Sequence, residues 1–335
     1  MNATPTRVPV KALAPRDTAT VGFDVYTSNG RGRRPRDPLD LEDAVRLVTR
    51  AVASLSLVFA TLPAAAAAQQ PLHLSVFVGD STSFRVTSTL IYGPTEAILV
   101  DAQFHNSQAT KLADQIEATG RHLKAILITH PDDDHYLGLA VLRQRFPETP
   151  IYLTATALSE FKRTSARFLA GQRSYLPAEA PDSLPTPAVL PSTHLTVDGA
   201  AVEVVTDLQG DAFVASNSFV WVPSLRAVVA GDIVFNGVHV WLANSNQRTR
   251  AAWRRSLDRI AALHPRIVVA GHKKSVDTAD SPDAVEFMRG YLAAFDKAIG
   301  PATNADELVA AMKQRYPDLG MPLFLNYASR EAVPN

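Results

Sequence analysis

Alternating apolar and polar residues begin at residue 72, after a long N-terminal stretch without that pattern. Between residues 72 and 78, Leu or Val stands at every second position, and Gly79 and Gly93 follow as turn residues. This alternation is typical of a strand with one buried face. Together with the glycine turns, it predicts that the folded part of the chain opens as an antiparallel meander.

Helical periodicity then alternates with short apolar runs. Between residues 106 and 119, apolar residues recur at helical spacing, with Asn106 or Ser107 as the predicted N-cap and Gly120 as the stop. Further amphipathic patterns mark three later segments, around Phe161, Trp253 and Met288. Because apolar runs of strand length separate these helices, the class is mixed α/β. The proline-rich stretch 174–192 is predicted to be a crossing loop within one domain.

The first 70 residues differ from the rest in composition. Residues 1–44 are rich in Pro, Arg, Asp, Gly and Thr, which predicts a disordered or spurious N-terminal extension. Residues 45–68 have a basic start, an apolar run and a small-residue end near Ala68, the form of a secretory signal peptide. A helix is the alternative interpretation of that segment. With export, the product is periplasmic or secreted, and residues 70–335 form the folded domain with its C-terminal helices.

Composition narrows the candidate partners and cofactors. The chain has 335 residues, 33 basic and 33 acidic residues, and no cysteine. The charge balance gives no reason to expect a nucleic-acid partner, and the apolar run before Ala68 is too short for a stable membrane anchor. Without cysteine there are no disulfides and no thiolate ligands, so any metal ion must be held by His, Asp or Glu.

Four short apolar runs each end in a side chain that can bind a metal ion. These side chains are Asp101, His130, Asp232 and His272. The carboxyl ends of strands are where α/β folds place their sites. One run leads into the sequence His-Pro-Asp-Asp-Asp-His at 130–135, and a chain that turns there into a helix directs several of these side chains at one point. The set predicts a metal site; an acidic turn that only caps the helix is the alternative.

The order and spacing of these motifs resemble the metallo-β-lactamase superfamily over roughly residues 72–275. That family's signature is His-x-His-x-Asp-His after a buried strand, followed by Gly-His, Gly-Asp and a final Gly-His. In this chain the first motif is matched at His130, Asp134 and His135, the Gly-Asp at Asp232, and the last histidine at His272. The resemblance implies an α/β (α+β) fold, the four-layer αβ/βα sandwich, which holds two divalent metal ions.

Two positions depart from that signature. Asp132 stands where the family has its second histidine, and Asp211 is the candidate for the Gly-His position. The resemblance then implies two ligand sets: His130, Asp132, Asp211 and bridging Asp232; and Asp134, His135, His272 and Asp232. Zinc is the metal implied by the family. Carboxylates in place of imidazoles shift the preference of the first site towards manganese or iron. Asp101 matches the family's early structural aspartate.

The resemblance implies a metal-dependent hydrolase that acts on a small molecule through a metal-activated water. Asp134 is the predicted residue that orients this water and accepts its proton. Candidate substrate contacts are Tyr136, His239, Trp241 and Lys273. Esters, lactones and β-lactams are all candidate substrates, and the sequence predicts no oligomeric state. Two other functions stay open: a diiron oxidoreductase or oxygenase of the same fold, whose relatives carry a carboxylate at the Asp132 position, and a non-catalytic metal-binding homologue.

Overall fold

Two β-sheets form the centre of the protein. The computed structural model describes residues 71–333, and the predicted extension and signal segment lie outside these residues. The first sheet has six strands and the second has five, and two further short strands pair with each other.

The first sheet combines an antiparallel and a parallel half. Its strands, hydrogen-bonded in chain order, are β1 (His73–Val78), β2 (Thr87–Tyr92), β3 (Glu96–Val100), β4 (His122–Leu127), β5 (Ile151–Leu153) and β6 (Ala188–Val189). The strands β1, β2 and β3 are antiparallel, which confirms the predicted meander, and β3 to β6 are parallel. The helices between them are α1 (Asn106–Ala118), α2 (Asp133–Tyr136), α3 (Leu139–Arg145) and α4 (Ala155–Tyr175).

The second sheet contains β7 (His194–Val197), β8 (Ala200–Leu208), β9 (Asn217–Val222), β10 (Ala227–Val229) and β12 (Ile267–Val269), and the short pair is β11 (Phe235–Asn236) and β13 (His272–Lys273). Strands β10 and β12 are parallel, so the segments that follow them leave the sheet at the same edge. The later helices are α5 (Gln247–Ala262), α6 (Asp283–Ile299), α7 (Ala305–Arg315) and α8 (Pro322–Ala332). Within residues 71–333, no helix has both the length and the apolar character that a membrane crossing requires.

Three buried apolar clusters hold the layers together. In β3, Ile98 and Val100 face a cluster that also contains Val204 and Val220 of the second sheet, so this cluster lies between the sheets. The alternate residue Leu99 faces a second cluster, which is shared with α1, α3 and α4. A third cluster joins the second sheet to α5, α6, α7 and α8. The order helix, sheet, sheet, helix confirms the four-layer αβ/βα sandwich.

Two local features differ from the sequence prediction. The N-cap of α1 is His105, whereas Asn106 and Ser107 lie inside its first turn. Among the C-terminal helices, the last one, α8, has no counterpart in the sequence prediction. The helical periodicity of α8 is interrupted by polar residues. Its first residue is Pro322, and proline is tolerated in the first turn because a backbone N–H at that position would have no intrahelical partner.

Candidate metal centre

Strand ends and one short helix bring the candidate ligands together. His130 follows β4, and α2 supplies Asp134 and His135 immediately after it. Asp232 follows β10, and His272 follows β12. Ligand atoms lie within 4.8 Å of one another in three overlapping groups: His130, His135 and Asp232; Asp134, His135 and His272; and His130, Asp132 and Asp211. All seven residues predicted as ligands therefore lie in one cluster.

Asp232 lies at the centre of this cluster. Its Oδ1 is 3.1 Å from His135 Nε2, and its Oδ2 is 3.2 Å from His272 Nε2 and 4.0 Å from His130 Nε2. Asp134 Oδ2 lies 3.3 Å from the same His272 Nε2 atom. A carboxylate that faces three imidazole nitrogens is placed to serve two cations at once.

Hydrogen bonds on the far side of the rings orient two of these imidazoles. His135 Nδ1 donates to Asp101 Oδ2 at 2.9 Å, and His272 Nδ1 donates to the Phe84 carbonyl oxygen at 2.7 Å. Both acceptors require the proton on Nδ1. The Nε2 atoms of both rings are therefore directed into the cluster, which is the arrangement that a metal-binding histidine needs.

Thr129 orients the third imidazole and was not predicted from the sequence. Its backbone N–H and its hydroxyl bond Asp101 at 2.8 and 2.9 Å, and the hydroxyl oxygen lies 3.0 Å from His130 Nδ1. Because the hydroxyl donates to Asp101, its oxygen accepts from His130 Nδ1. The Thr129 hydroxyl thus fixes the tautomer of His130. It also helps to hold Asp101, which orients His135.

Replacing Thr129 by valine is expected to weaken metal binding by roughly 10–100-fold, the usual cost of losing a partner that orients a ligand. Valine keeps the shape of the side chain but removes the hydroxyl that holds His130 Nδ1 and Asp101. Competition with a chromophoric chelator measures the affinity. Thr129→Ser, which keeps the hydroxyl, is the matched control and should bind metal nearly as well as the wild type; equal affinities for all three proteins would contradict the role.

Asp211 reaches the cluster from the loop between β8 and β9. Its side chain is fully buried, with Oδ2 3.8 Å from His130 Nε2 and Oδ1 accepting from Asn217 Nδ2 at 3.0 Å. A Cβ on the preceding Gly210 would lie 2.6 Å from the same Asn217 Nδ2. Glycine is needed there because the backbone passes so close to the residue that fixes Asp211.

Two glycines let the chain segments after β10 and β12 approach each other. A Cβ on Gly271 would collide with Asp232 Oδ1, and Gly271 N–H donates to the Gly231 carbonyl oxygen at 2.9 Å. Gly231 has φ +50°, and a Cβ there would lie 2.5 Å from Thr129 Oγ1. The Gly-Asp and Gly-His pairs seen in the sequence therefore have a steric cause.

Burial and charge move the pKa values of the ligands in opposite directions. Burial lowers the pKa of His272, but the carboxylates of Asp232 and Asp134 outweigh it and raise that pKa to about 10. For Asp211, burial and the Asp232 charge raise the pKa to about 7. Burial and the Asp211 charge raise the pKa of Asp132 well above its ordinary value. The cluster therefore retains protons at neutral pH, in positions that a cation would take over.

Four atoms of the cluster are buried and make no hydrogen bond among the described residues: His130 Nε2, His135 Nε2, Asp211 Oδ2 and Asp232 Oδ1, of which His135 Nε2 and Asp232 Oδ1 face each other at 3.1 Å. An unpartnered buried polar atom costs about 1–3 kcal/mol. Cations at the cluster would satisfy these atoms, and imidazole and carboxylate are ligands that zinc, manganese and iron all accept. The residues present therefore fit a metal centre.

Two of the predicted substrate contacts have partners away from the ligand atoms. Tyr136 is fully buried, and its ring packs edge-on against Phe161 at 4.9 Å. His239 Nδ1 lies 2.9 Å from the Tyr291 hydroxyl, and burial lowers the pKa of this histidine to about 4. Substrate contact stays a prediction for both side chains.

The other two predicted contacts differ from each other. Lys273 Nζ lies 2.8 Å from Asp280 Oδ1, and the lysine side chain is buried, so its charge is already paired. Trp241 is partly buried and lies 5.4 Å, centroid to centroid, from the Phe324 ring, which in turn contacts the His272 ring at 5.3 Å. Of the four predicted contacts, Trp241 is thus linked to a candidate ligand through one aromatic neighbour.

Three comparisons show what this chain is similar to. Residues 82–272, more than half of the chain, match the family model of the metallo-beta-lactamase superfamily. A curated hydroxyacylglutathione hydrolase from Acidiphilium cryptum (strain JF-5) is 28% identical over 215 residues, which are 61% of this chain and 76% of that protein. The solved structure of a metallo-beta-lactamase family protein from Thermus thermophilus is similar with a TM-score of 0.54 at 19% identity, covering 77% of this chain and 91% of that one. The last similarity concerns the fold alone.

Proposed function

The chain belongs to the metallo-beta-lactamase superfamily and is a metallo-hydrolase, and from this premise we propose that it hydrolyses an ester, a lactone or a β-lactam at a dinuclear metal site. The observation that carries this proposal is the convergence of three imidazoles and four carboxylates, four of whose buried atoms make no hydrogen bond among the described residues. Such a set of ligands is far more than a single cation needs.

We propose that two divalent cations share the cluster. The proposed ligand sets are His130, Asp132, Asp211 and Asp232 for the first, and Asp134, His135, His272 and Asp232 for the second. When bound, such ions act as Lewis acids and make water a nucleophile at neutral pH. The role of the protein is to hold the imidazoles in the Nδ1–H tautomer and to keep the carboxylates of Asp134 and Asp232 ionised.

Asp134 is the proposed residue that orients the attacking water and accepts its proton. Its side chain is about a tenth exposed, at 11%, whereas those of His135 and His272 are almost inaccessible. Burial favours the neutral acid, but His135 and His272 outweigh it and hold the pKa of Asp134 below its usual value. Asp134 is therefore ionised at neutral pH, the state in which a carboxylate accepts a proton.

The two proposed sites differ in chemistry. The first has one imidazole and three carboxylates, and the second has two of each, counting the shared Asp232 in both. Carboxylate-rich sites favour manganese or iron, and imidazole-rich sites suit zinc. We therefore propose zinc at the second site and a harder metal, or lower zinc occupancy, at the first.

Replacing Asp132 by histidine is expected to move the first site towards zinc by at least about tenfold in the Zn:Mn occupancy ratio, because an imidazole replaces a hard oxygen ligand. The metal-free protein is loaded from an equimolar mixture and dialysed, and its metal content is determined by elemental analysis. Asp133→His is the matched control, since it places the same imidazole one residue further along the turn. An unchanged ratio in the Asp132 variant would show that Asp132 is not a ligand.

One experiment tests the proposed function as a whole. Purified protein is analysed for metals, its absorption spectrum is recorded, and it is assayed on an ester, a lactone and a β-lactam before and after chelation and reloading. Colourless protein with two bound ions and chelator-sensitive turnover supports the hydrolase. A coloured diiron centre without hydrolysis would favour the oxidative alternative, to which the carboxylate at Asp132 points. Metal content near zero would favour a non-catalytic homologue.

We also propose that the protein is exported and acts in the periplasm or outside the cell on a small molecule. The support is the order of basic start, apolar run and small-residue end in residues 45–68. N-terminal sequencing of the natural protein tests this proposal. A mature start near Gln69 is expected, and a start far from it would rule the signal peptide out.

A further inference from the structure

Large exposed apolar side chains concentrate on segments that also reach the cluster. In residues 71–333, the large hydrophobic residues that are exposed are Tyr175, Val189, Phe213, Val214, Val276, Leu323 and Tyr327. More than half of them lie on two segments, the loop 209–216 that carries Asp211 and the helix α8 that packs against His272. Exposed apolar surface concentrated in this way marks a place where a ligand or partner binds.

Two rings of α8, Phe324 and Tyr327, form an aromatic wall together with Trp241, which precedes α5. Phe324 contacts the His272 ring at 5.3 Å, Trp241 lies 5.4 Å from Phe324, and Tyr327 lies 5.6 Å from Trp241. Exposure increases along this aromatic wall, from 4% at Phe324 to 46% at Tyr327. The wall therefore extends from a candidate ligand to the solvent, and Leu323, 43% exposed, adds to its outer end.

The loop 209–216 supplies the second apolar element. Phe213 is 59% exposed and Val214 is 38% exposed, two and three residues after the buried Asp211. The loop is held by its own hydrogen bonds: Gln209 Nε2 donates to the Ala212 carbonyl oxygen, and Asn217 anchors Asp211. The two apolar side chains are thus held at the surface beside a residue of the cluster.

Cations are scarce around these two elements. The segments 209–216, 240–246 and 322–329 contain no lysine or arginine. Beyond His272, Lys273 is paired with Asp280, and Lys274 Nζ donates to the Asp318 carbonyl oxygen at 2.7 Å. A carboxylate-bearing substrate would need a free cation to compensate for its lost hydration, so these segments are better suited to an uncharged substrate.

We propose that the aromatic wall and Phe213 form an apolar subsite beside the metal centre, and that the substrate is an uncharged ester or lactone with a medium-length aliphatic or aromatic acyl chain. This inference rests on the proposed hydrolase function. In the reaction, the water oxygen bonds to the acyl carbon, the C–O bond to the leaving group breaks, and one water proton ends on the leaving oxygen. A carboxylic acid and an alcohol are formed, joined in one molecule when the substrate is a lactone.

The first test compares p-nitrophenyl acetate, butyrate and octanoate with the metal-loaded protein. The kcat/KM ratio of octanoate to acetate is expected to be at least about 10, since each well-packed methylene contributes to discrimination. Tyr327→Ala and Phe213→Ala should each lower this ratio several-fold. Tyr175→Ala, which removes an exposed ring from the end of α4, is the matched control and should leave the ratio unchanged.

A second test needs no catalysis and separates the two proposals. Octanamide, an uncharged non-ester, is titrated into the metal-free protein while Trp241 fluorescence is followed, with acetamide as the short analogue. Saturable quenching by octanamide alone, absent in Trp241→Phe, supports the subsite even when no ester is hydrolysed. Absence of hydrolysis would then count against the hydrolase function only, whereas hydrolysis without octanamide binding would count against the subsite only.

Three results would overturn the apolar subsite. The first is a kcat/KM that does not depend on chain length. The second is faster turnover of p-nitrophenyl hydrogen succinate than of the butyrate ester, with this difference in rate lost in Arg85→Met. Arg85 is the cation to test because its side chain has no hydrogen-bond or ion-pair partner within the described residues. The third is a dimer, seen by light scattering, that Phe213→Ala or Tyr327→Ala dissociates, which would assign the exposed rings to contact with a second copy of the chain.

Discussion

Replacing Asp232 by asparagine is expected to remove both metal ions and nearly all hydrolytic activity. Its two oxygens lie 3.1 Å from His135 Nε2 and 3.2 Å from His272 Nε2, and it belongs to both proposed ligand sets. Because losing a partner of a ligand already costs roughly 10–100-fold, losing the shared ligand should lower metal affinity by more than about 100-fold. Elemental analysis after dialysis and kcat/KM on the best substrate measure the two effects, and we expect kcat/KM to fall by at least about 1000-fold.

The control for this variant is Asp258→Asn, which changes an exposed carboxylate paired with Arg289. It should retain full metal content and activity. Circular dichroism and thermal unfolding of Asp232→Asn establish that the variant is folded, because asparagine has the size of aspartate. Two bound ions and normal turnover in a folded Asp232→Asn protein would contradict the bridging role.

Metal ions are expected to stabilise the protein more strongly at pH 8 than at pH 6. In the metal-free protein the pKa of His272 is raised to about 10, and that of His135 is also raised well above its ordinary value. Protonation of these groups stabilises the metal-free fold below about pH 6.5, and this contribution is lost as pH rises towards 10. Since binding displaces the His272 proton, apparent metal affinity should rise at least about tenfold per pH unit between pH 7 and 9.

Thermal unfolding with and without chelator from pH 6 to 9 measures this effect as a growing difference in Tm. Calorimetric titration of metal in buffers of different ionisation enthalpy counts the released protons. His272→Gln should release about one proton fewer, and His122→Gln, an exposed histidine at the start of β4, should release the same number as the wild type. A Tm difference that is constant with pH would show that no protons are displaced.

The location of the candidate site could be predicted from the sequence because buried strands have a simple local pattern. The last residues of strands β3, β4, β10 and β12 are apolar on both faces, so the first side chain of metal-ligand type after each marks the edge of a sheet. Asp101, His130, Asp232 and His272 all stand at such points, and parallel pairing of β10 with β12 places two of these ends at one edge. The apolar pattern of each strand and the direction in which the strand runs therefore determine which residues can lie close together. Both are properties of the local sequence.

The contacts that orient these residues were decided by tertiary structure alone. The acceptor for His272 Nδ1 is the backbone carbonyl of Phe84, 188 residues away, and a backbone oxygen has no sequence signal. The hydroxyl of Thr129 is indistinguishable in sequence from any strand threonine until Asp101 is folded beside it. Likewise, the aromatic wall depends on α8, which the sequence pattern did not predict.

The sequence by itself determined the fold class and the identity of the clustered side chains, because periodicity and motif spacing are properties of neighbouring residues. Tertiary structure decided that Asp211 shares a group with His130 and Asp132, that Lys273 is paired with Asp280, and that Trp241 connects the cluster to the surface. These relations depend on how separate layers pack. Packing brings residues from distant parts of the sequence into contact, and their separation along the chain does not predict which of them will meet.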